Sequence, residues 1–116
     1  MKRFSSNYLF IPQVGFVKQC VAEMDDRGIV IRLFPLINES ASTSWLPGLL
    51  VLSEENDTLS PIEMIQTTLK KTLTFDQLPS TLIDDISSFQ FILYQLYPFD
   101  LERMFPREET KVFVLS

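Results

Sequence analysis

The groups in this 116-residue chain that could do chemistry are few. Among them are three pairs of neighbouring carboxylates (Asp25–Asp26, Glu54–Glu55, Asp84–Asp85), one thiol (Cys20), and a run of aromatic rings at Phe89, Phe91, Tyr94, Tyr97 and Phe99. Two carboxylates share acid and base duties only when they converge in one pocket with separated pKa values. Neighbours on a strand or helix point in different directions. The three pairs therefore read more simply as a turn, a solvated loop and the first turn of a helix. Glu54, Glu55 and Asp57 could hold a divalent cation loosely, but they lack the alternating oxygen ligands and glycine of a tight calcium loop. Cys20 sits among Val17, Val21 and Ala22 and reads as a buried core thiol, because a nucleophilic cysteine wants a neighbouring base.

That base is missing. The chain has no histidine, which removes the usual proton acceptor near neutral pH, Ser–His–Asp and Cys–His machinery, and the common zinc sites. No spacing suggests a Ser–Lys pair. Glycine occurs only at Gly15, Gly28 and Gly48, so no glycine-rich phosphate cradle is present. The chain is expected to be no enzyme, with no catalytic residue, no metal and no cofactor. A net charge of −5 and a pI near 4.6, with Lys70–Lys71 the densest basic pair, exclude a phosphate-neutralising stripe. Neither nucleic acid nor an anionic membrane is an expected partner. No apolar run approaches the ~20 residues of a membrane span, and no signal-peptide core follows Met1-Lys2-Arg3. A cytoplasmic protein is the expectation.

The elements that must position these groups follow from period and punctuation. An apolar fraction of 46%, with ten Phe, three Tyr and one Trp, is enough for the core of one domain over residues 1–116. Strands are predicted over about 8–52 and 111–115, and helices over about 61–72, 80–97 and 99–105. Tyr8–Ile11 is a short strand stopped by Pro12. Phe16–Met24 and Ile29–Leu36 flank Asp25-Asp26-Arg27-Gly28, a hairpin turn with glycine where a positive φ is needed. Asn38–Ser44 reads as a polar loop, and Trp45-Leu46-Pro47-Gly48 turns the chain into the buried strand Leu49–Leu52. Ser60-Pro61-Ile62-Glu63 is a helix start with a cap, proline in the first turn and a capping-box glutamate. Leu82, Ile86, Phe89, Leu93 and Leu96, spaced 4, 3, 4, 3, predict a second helix. That helix is apolar over well more than one face, so it is sandwiched in the core or covered by another chain. Lys111–Leu115 is the last strand, placed beside an early one.

The first half resembles the opening of amidohydrolase-superfamily enzymes, which begin with a small β-sandwich. The matching segments are Tyr8-Leu9-Phe10, Phe16-Val17 to Glu23, Asp25-Asp26-Arg27-Gly28-Ile29-Val30 and Leu46-Pro47-Gly48-Leu49-Leu50-Val51, over about residues 4–52. The tail, Leu101–Phe105 and Lys111–Leu115, has the order of the family's last elements without their glycines. Where the family places metal-binding histidines this chain has Leu52-Ser53-Glu54-Glu55, and the barrel is missing. The resemblance implies a non-catalytic sandwich and carries over no catalytic residue.

The expected fold is α+β, a small, mostly antiparallel sheet with two or three helices packed on it. The expected function is a non-catalytic interaction or structural module that self-associates or binds a protein partner. The surface offered by Phe91, Tyr94, Tyr97 and Phe99 is the candidate for a partner or ligand. The alternative is a small-ligand-binding or accessory domain that modulates a partner enzyme.

Overall fold

Apolar side chains alternate to both faces of successive strands, and a sheet of that kind must be covered on both sides. In Tyr8–Ile11 (β2), Leu9 and Ile11 enter one buried cluster and Phe10 the other. In Leu49–Glu54 (β7), Leu50 and Leu52 join the first cluster, and Leu49 and Val51 the second. The computed structural model describes residues 2–12, 14–36, 43–54, 60–68, 73–76 and 90–115. The remaining strands are Lys2–Ser5 (β1), Gly15–Val17 (β3), Cys20–Met24 (β4), Ile29–Pro35 (β5), Thr43–Trp45 (β6), Leu73–Phe75 (β8), Phe91–Asp100 (β9) and Phe105–Val114 (β10).

The sheet runs in the order β6-β1-β4-β5-β9-β7-β2-β3-β8, with β10 paired to β9 off this path. Six pairings are antiparallel. Three are parallel, and they fall in sequence: β1 with β6, β2 with β7, and β3 with β8. Nine strands laid flat would span about 38 Å, yet the longest extent is 32 Å and the shortest 26 Å. The sheet is therefore strongly coiled, and one of its faces holds the larger cluster, from Leu9 and Ile11 through Met24 and Leu33 to Leu93. The second cluster lies on the other face.

The helix Pro61–Thr68 (α1) contributes Met64 and Ile65 to that second cluster. It starts as the sequence suggests: the Glu63 N–H donates to Ser60 Oγ at 3.2 Å, and the Met64 N–H to the Ser60 carbonyl at 2.9 Å. The β4–β5 hairpin also forms at the expected turn. The Asp25 N–H donates to the Ile29 carbonyl, and Gly28 takes φ +82°.

Three expectations are corrected. Strand takes 65% of the described residues and α1 is the one helix among them, so the fold is mostly β and not α+β with two or three packed helices. The helix predicted over 80–97 is strand from Phe91 onward, and residues 80–89 lie outside the described residues. The helix predicted over 99–105 is the end of β9, a turn and the start of β10. Leu93 and Leu96 have helical spacing, but they occupy opposite faces of one strand. Of the helix predicted over 61–72, residues 69–72 lie outside the described residues.

Strand pairing brings two further corrections. Phe16–Met24 is not one strand. It breaks at Lys18–Gln19, so Phe16 and Cys20 fall in different clusters. The last strand pairs with β9 and not with an early strand.

Candidate functional site

The four aromatic residues singled out from the sequence all lie on β9, where alternation divides them. Phe91 packs on the edge of the larger cluster, and Tyr94 on the second. Phe99 is buried in the second cluster. Tyr97 is exposed. They do not meet in one pocket or on one surface.

What does reach solvent is the strand beside them. β10 pairs with β9 in the register Lys111↔Tyr97, Val112↔Leu96, Phe113↔Gln95 and Val114↔Tyr94. The Leu115 N–H donates to the Leu93 carbonyl at 2.9 Å. In an antiparallel ladder alternate residues share the bonds. Lys111, Phe113 and Leu115 therefore turn their amides to β9, and Val112 and Val114 turn theirs away. Among the described residues no strand lies beyond that edge. The side chains there are exposed as well: Val112 37%, Phe113 44% and Val114 63%. Upstream the register shifts between Pro106 and Lys111, where Thr110 Oγ1 donates to the Pro98 carbonyl and accepts from the Arg107 N–H. The regular free edge thus begins at Lys111.

A second feature lies where several connections converge. The β1–β2 link (Ser6, Asn7), the β3–β4 link (Lys18, Gln19) and Leu36, just past β5, border a cleft of about 410 Å³ that Trp45 and Tyr8 also line. Tyr8 stands edge-on to Phe16, with ring centroids 6.2 Å apart, which fixes its ring in the wall. Lys18 Nζ lies 5.6 Å from the Tyr8 centroid and 3.7 Å from Asp76 Oδ1. Gln19 adopts φ +53°, and the Leu36 N–H donates to its carbonyl at 2.7 Å. The single Ser6 O–H is shared between the Leu46 carbonyl, at 2.7 Å, and the Gly48 carbonyl, at 3.0 Å, tying the cleft to the turn after Trp45.

The other chemically capable groups are structural. Asp25 Oδ1 accepts from the Arg27 and Ile29 N–H groups, and the Arg27 guanidinium holds the Asp25 carboxyl below its ordinary pKa. Cys20 is buried and free of any disulfide, and burial pushes its thiol up to about 12, which makes it a poor nucleophile. Glu54 ends β7 exposed. Glu55, Asp57, Asp84, Asp85 and Phe89 lie outside the described residues. Among the described residues no group of three His, Cys, Asp or Glu could hold a metal, and no helix is long and apolar enough to cross a membrane.

The sequence reading missed both surface features. Trp45 fell in a stretch read as loop and turn, and Lys111–Leu115 was read as a last strand beside an early one, with no surface role. A lone tryptophan beside a polar segment was the available signal for the cleft. Comparison with protein-family models, curated proteins and solved structures finds no match to the chain, so nothing supports the amidohydrolase resemblance, and since the described residues from Phe91 to Phe105 are strand and turn where helix was expected, it is set aside.

Proposed function

We propose that this protein is a non-catalytic interaction module whose partner is a second copy of itself, joined edge to edge through β10. The observation that carries this reading is the free edge at Val112–Val114, with outward amides and exposed apolar side chains. Natural sheets protect such edges with charge, proline or bulges, because an open edge templates another strand. Here those devices end at Lys111: Pro106, Arg107, Glu108, Glu109 and the register shift precede it, and none falls within Val112–Val114.

The segment also complements itself. An antiparallel two-fold pairing centred on Phe113 places Val112 against the partner's Val114, so the outward amides bond each other. Phe113 then faces its own copy in the close, non-bonded position. Lys111 falls opposite Leu115, so no like charges meet. A cytoplasmic setting fits the single buried cysteine, which makes no disulfide within the chain.

The test is native mass by light scattering across a concentration series. Val114→Pro removes only an outward N–H and leaves the β9 ladder intact. Wild type is expected to dimerise with rising concentration, and Val114→Pro and Val112→Lys to remain monomeric at unchanged Tm. A wild-type monomer at high micromolar concentration sinks the reading, as does a dimer that both variants leave unaltered.

A further inference from the structure

The cleft between the sheet connections presents the open Trp45 ring, two exposed amides, the half-buried Tyr8 ring and the Lys18 ammonium that stands over it. Trp45 is 55% exposed on a three-residue strand. Tyr8 is held upright by Phe16, and Asn7 and Gln19 are exposed at the rim. We infer that this cleft binds a saccharide, with the Trp45 ring taking the C–H face of a pyranose and Asn7, Gln19 and Lys18 taking its hydroxyls.

Three observations favour that ligand chemistry. The first is the shape. An apolar small molecule needs most of its surface enclosed, whereas this cleft of about 410 Å³ opens to solvent. Its occupant must keep one side hydrated, as a sugar does.

The second is the donor set. A primary amide carries a donor pair and an acceptor at one tip, and a hydroxyl is both donor and acceptor. Two amides on separate connections therefore suit neighbouring sugar hydroxyls. The aromatic rings offer flat apolar faces with a negative quadrupole, which suits the weakly positive C–H face of a pyranose.

The third is charge. Among the described residues Lys18 is the one cation lining the cleft, and its ammonium already faces Tyr8 and Asp76. Phosphate recognition relies on several charge-assisted donors, typically bidentate arginine, so phosphorylated ligands match this set less well than neutral ones.

The backbone supports the placement of Gln19. A non-glycine residue at φ +53° costs about 1 kcal/mol, and it is kept in place here by the 2.7 Å bond from Leu36. Strain of this sort gathers at binding positions.

Trp45 is the chain's sole tryptophan, so its emission reports on the cleft alone. The test titrates the full chain with cellotriose, maltotriose, tri-N-acetylchitotriose and trigalacturonate, with inorganic phosphate and adenosine monophosphate as contrasts. A saturable change in emission with at least one trisaccharide is expected. Gln19→Gly relieves the left-handed backbone while deleting the amide. It is expected to fold with an unchanged or higher Tm and to bind about tenfold more weakly, the loss of one net hydrogen bond. No saturable response to any trisaccharide at millimolar concentration overturns the inference. So does a response confined to phosphate or the nucleotide, or a sugar response that Gln19→Gly and Asn7→Ala leave unaltered. None of these outcomes depends on whether β10 pairs.

Discussion

Glu23 is the one charged side chain that the fold buries among the described residues, and it is buried between two arginines. Arg3 Nε donates to it at 2.7 Å, and the Arg32 guanidinium lies 3.1 Å away. Both guanidinium groups also sit over the Phe34 ring, at 5.5 and 5.1 Å. Burial pushes the Glu23 carboxyl up, but the Arg3 hydrogen bond and the charges of Arg32 and Arg3 outweigh it and hold the group below its ordinary pKa. A carboxyl depressed in the folded state stabilises the protein above its unfolded pKa, near 4.3 for glutamate, and that contribution fades as pH falls through the lower folded value. Because both arginines are partly exposed, at 34% and 51% of their side chains, the worth of the pair is modest. Glu23→Gln is expected to cost about 1 kcal/mol at pH 7. Urea midpoints should show the gap to wild type narrowing from pH 4 downward. A gap that stays constant with pH would mean that the carboxylate's charge contributes nothing.

At the scale of elements, the approach of the β7 entry to β9 depends on a missing side chain. Gly48 takes φ +88°, and a Cβ there would drive into the Leu96 carbonyl oxygen. Gly48→Ala is expected to destabilise by about 3 kcal/mol, a fall in Tm of roughly 10 °C or more by thermal melt. The glycine was visible in the sequence as a turn, but its neighbour was not, because Leu96 was assigned to a helix. The reason lies in β9. Each face of the strand meets one of the two apolar clusters, so Phe91, Leu93, Tyr94 and Leu96 are all at least half-buried. A strand buried on both faces loses its period of two, and the residual 3-4 spacing mimics a helix. Where local chemistry decides alone, the reading held: the Asp25–Gly28 turn, the Ser60 cap and the short strand at Tyr8–Ile11. The three-residue strands β6 and β8 carry too few residues for any period, and β1 is an N-terminal run with two basic residues. The candidate surfaces were hidden for the same reason. Tyr97 is exposed where β9 runs on past β7, which pairs no further than Leu96. Trp45 is exposed because β6 lies at the end of the strand order.

At the scale of the molecule, the ordered parallel pairing of β1, β2 and β3 with β6, β7 and β8 makes the first and later parts of the chain two plies of one sheet. A backbone cut between Leu36 and Thr43 would leave β1–β5 in one piece and β6–β10 with α1 in the other. Four of the nine ladders would cross the cut: the three parallel ones and the β5–β9 pairing. The larger cluster would be divided as well, with Leu9, Ala22 and Leu33 on one side and Leu50, Leu52 and Leu93 on the other. Neither piece could cover its own apolar face, so each alone is expected to lack stable tertiary structure. Mixed one to one, they should recover the circular dichroism and melting behaviour of the intact chain. Such a pair would work as a fragment-complementation switch, assembling a fold only when both halves are brought together.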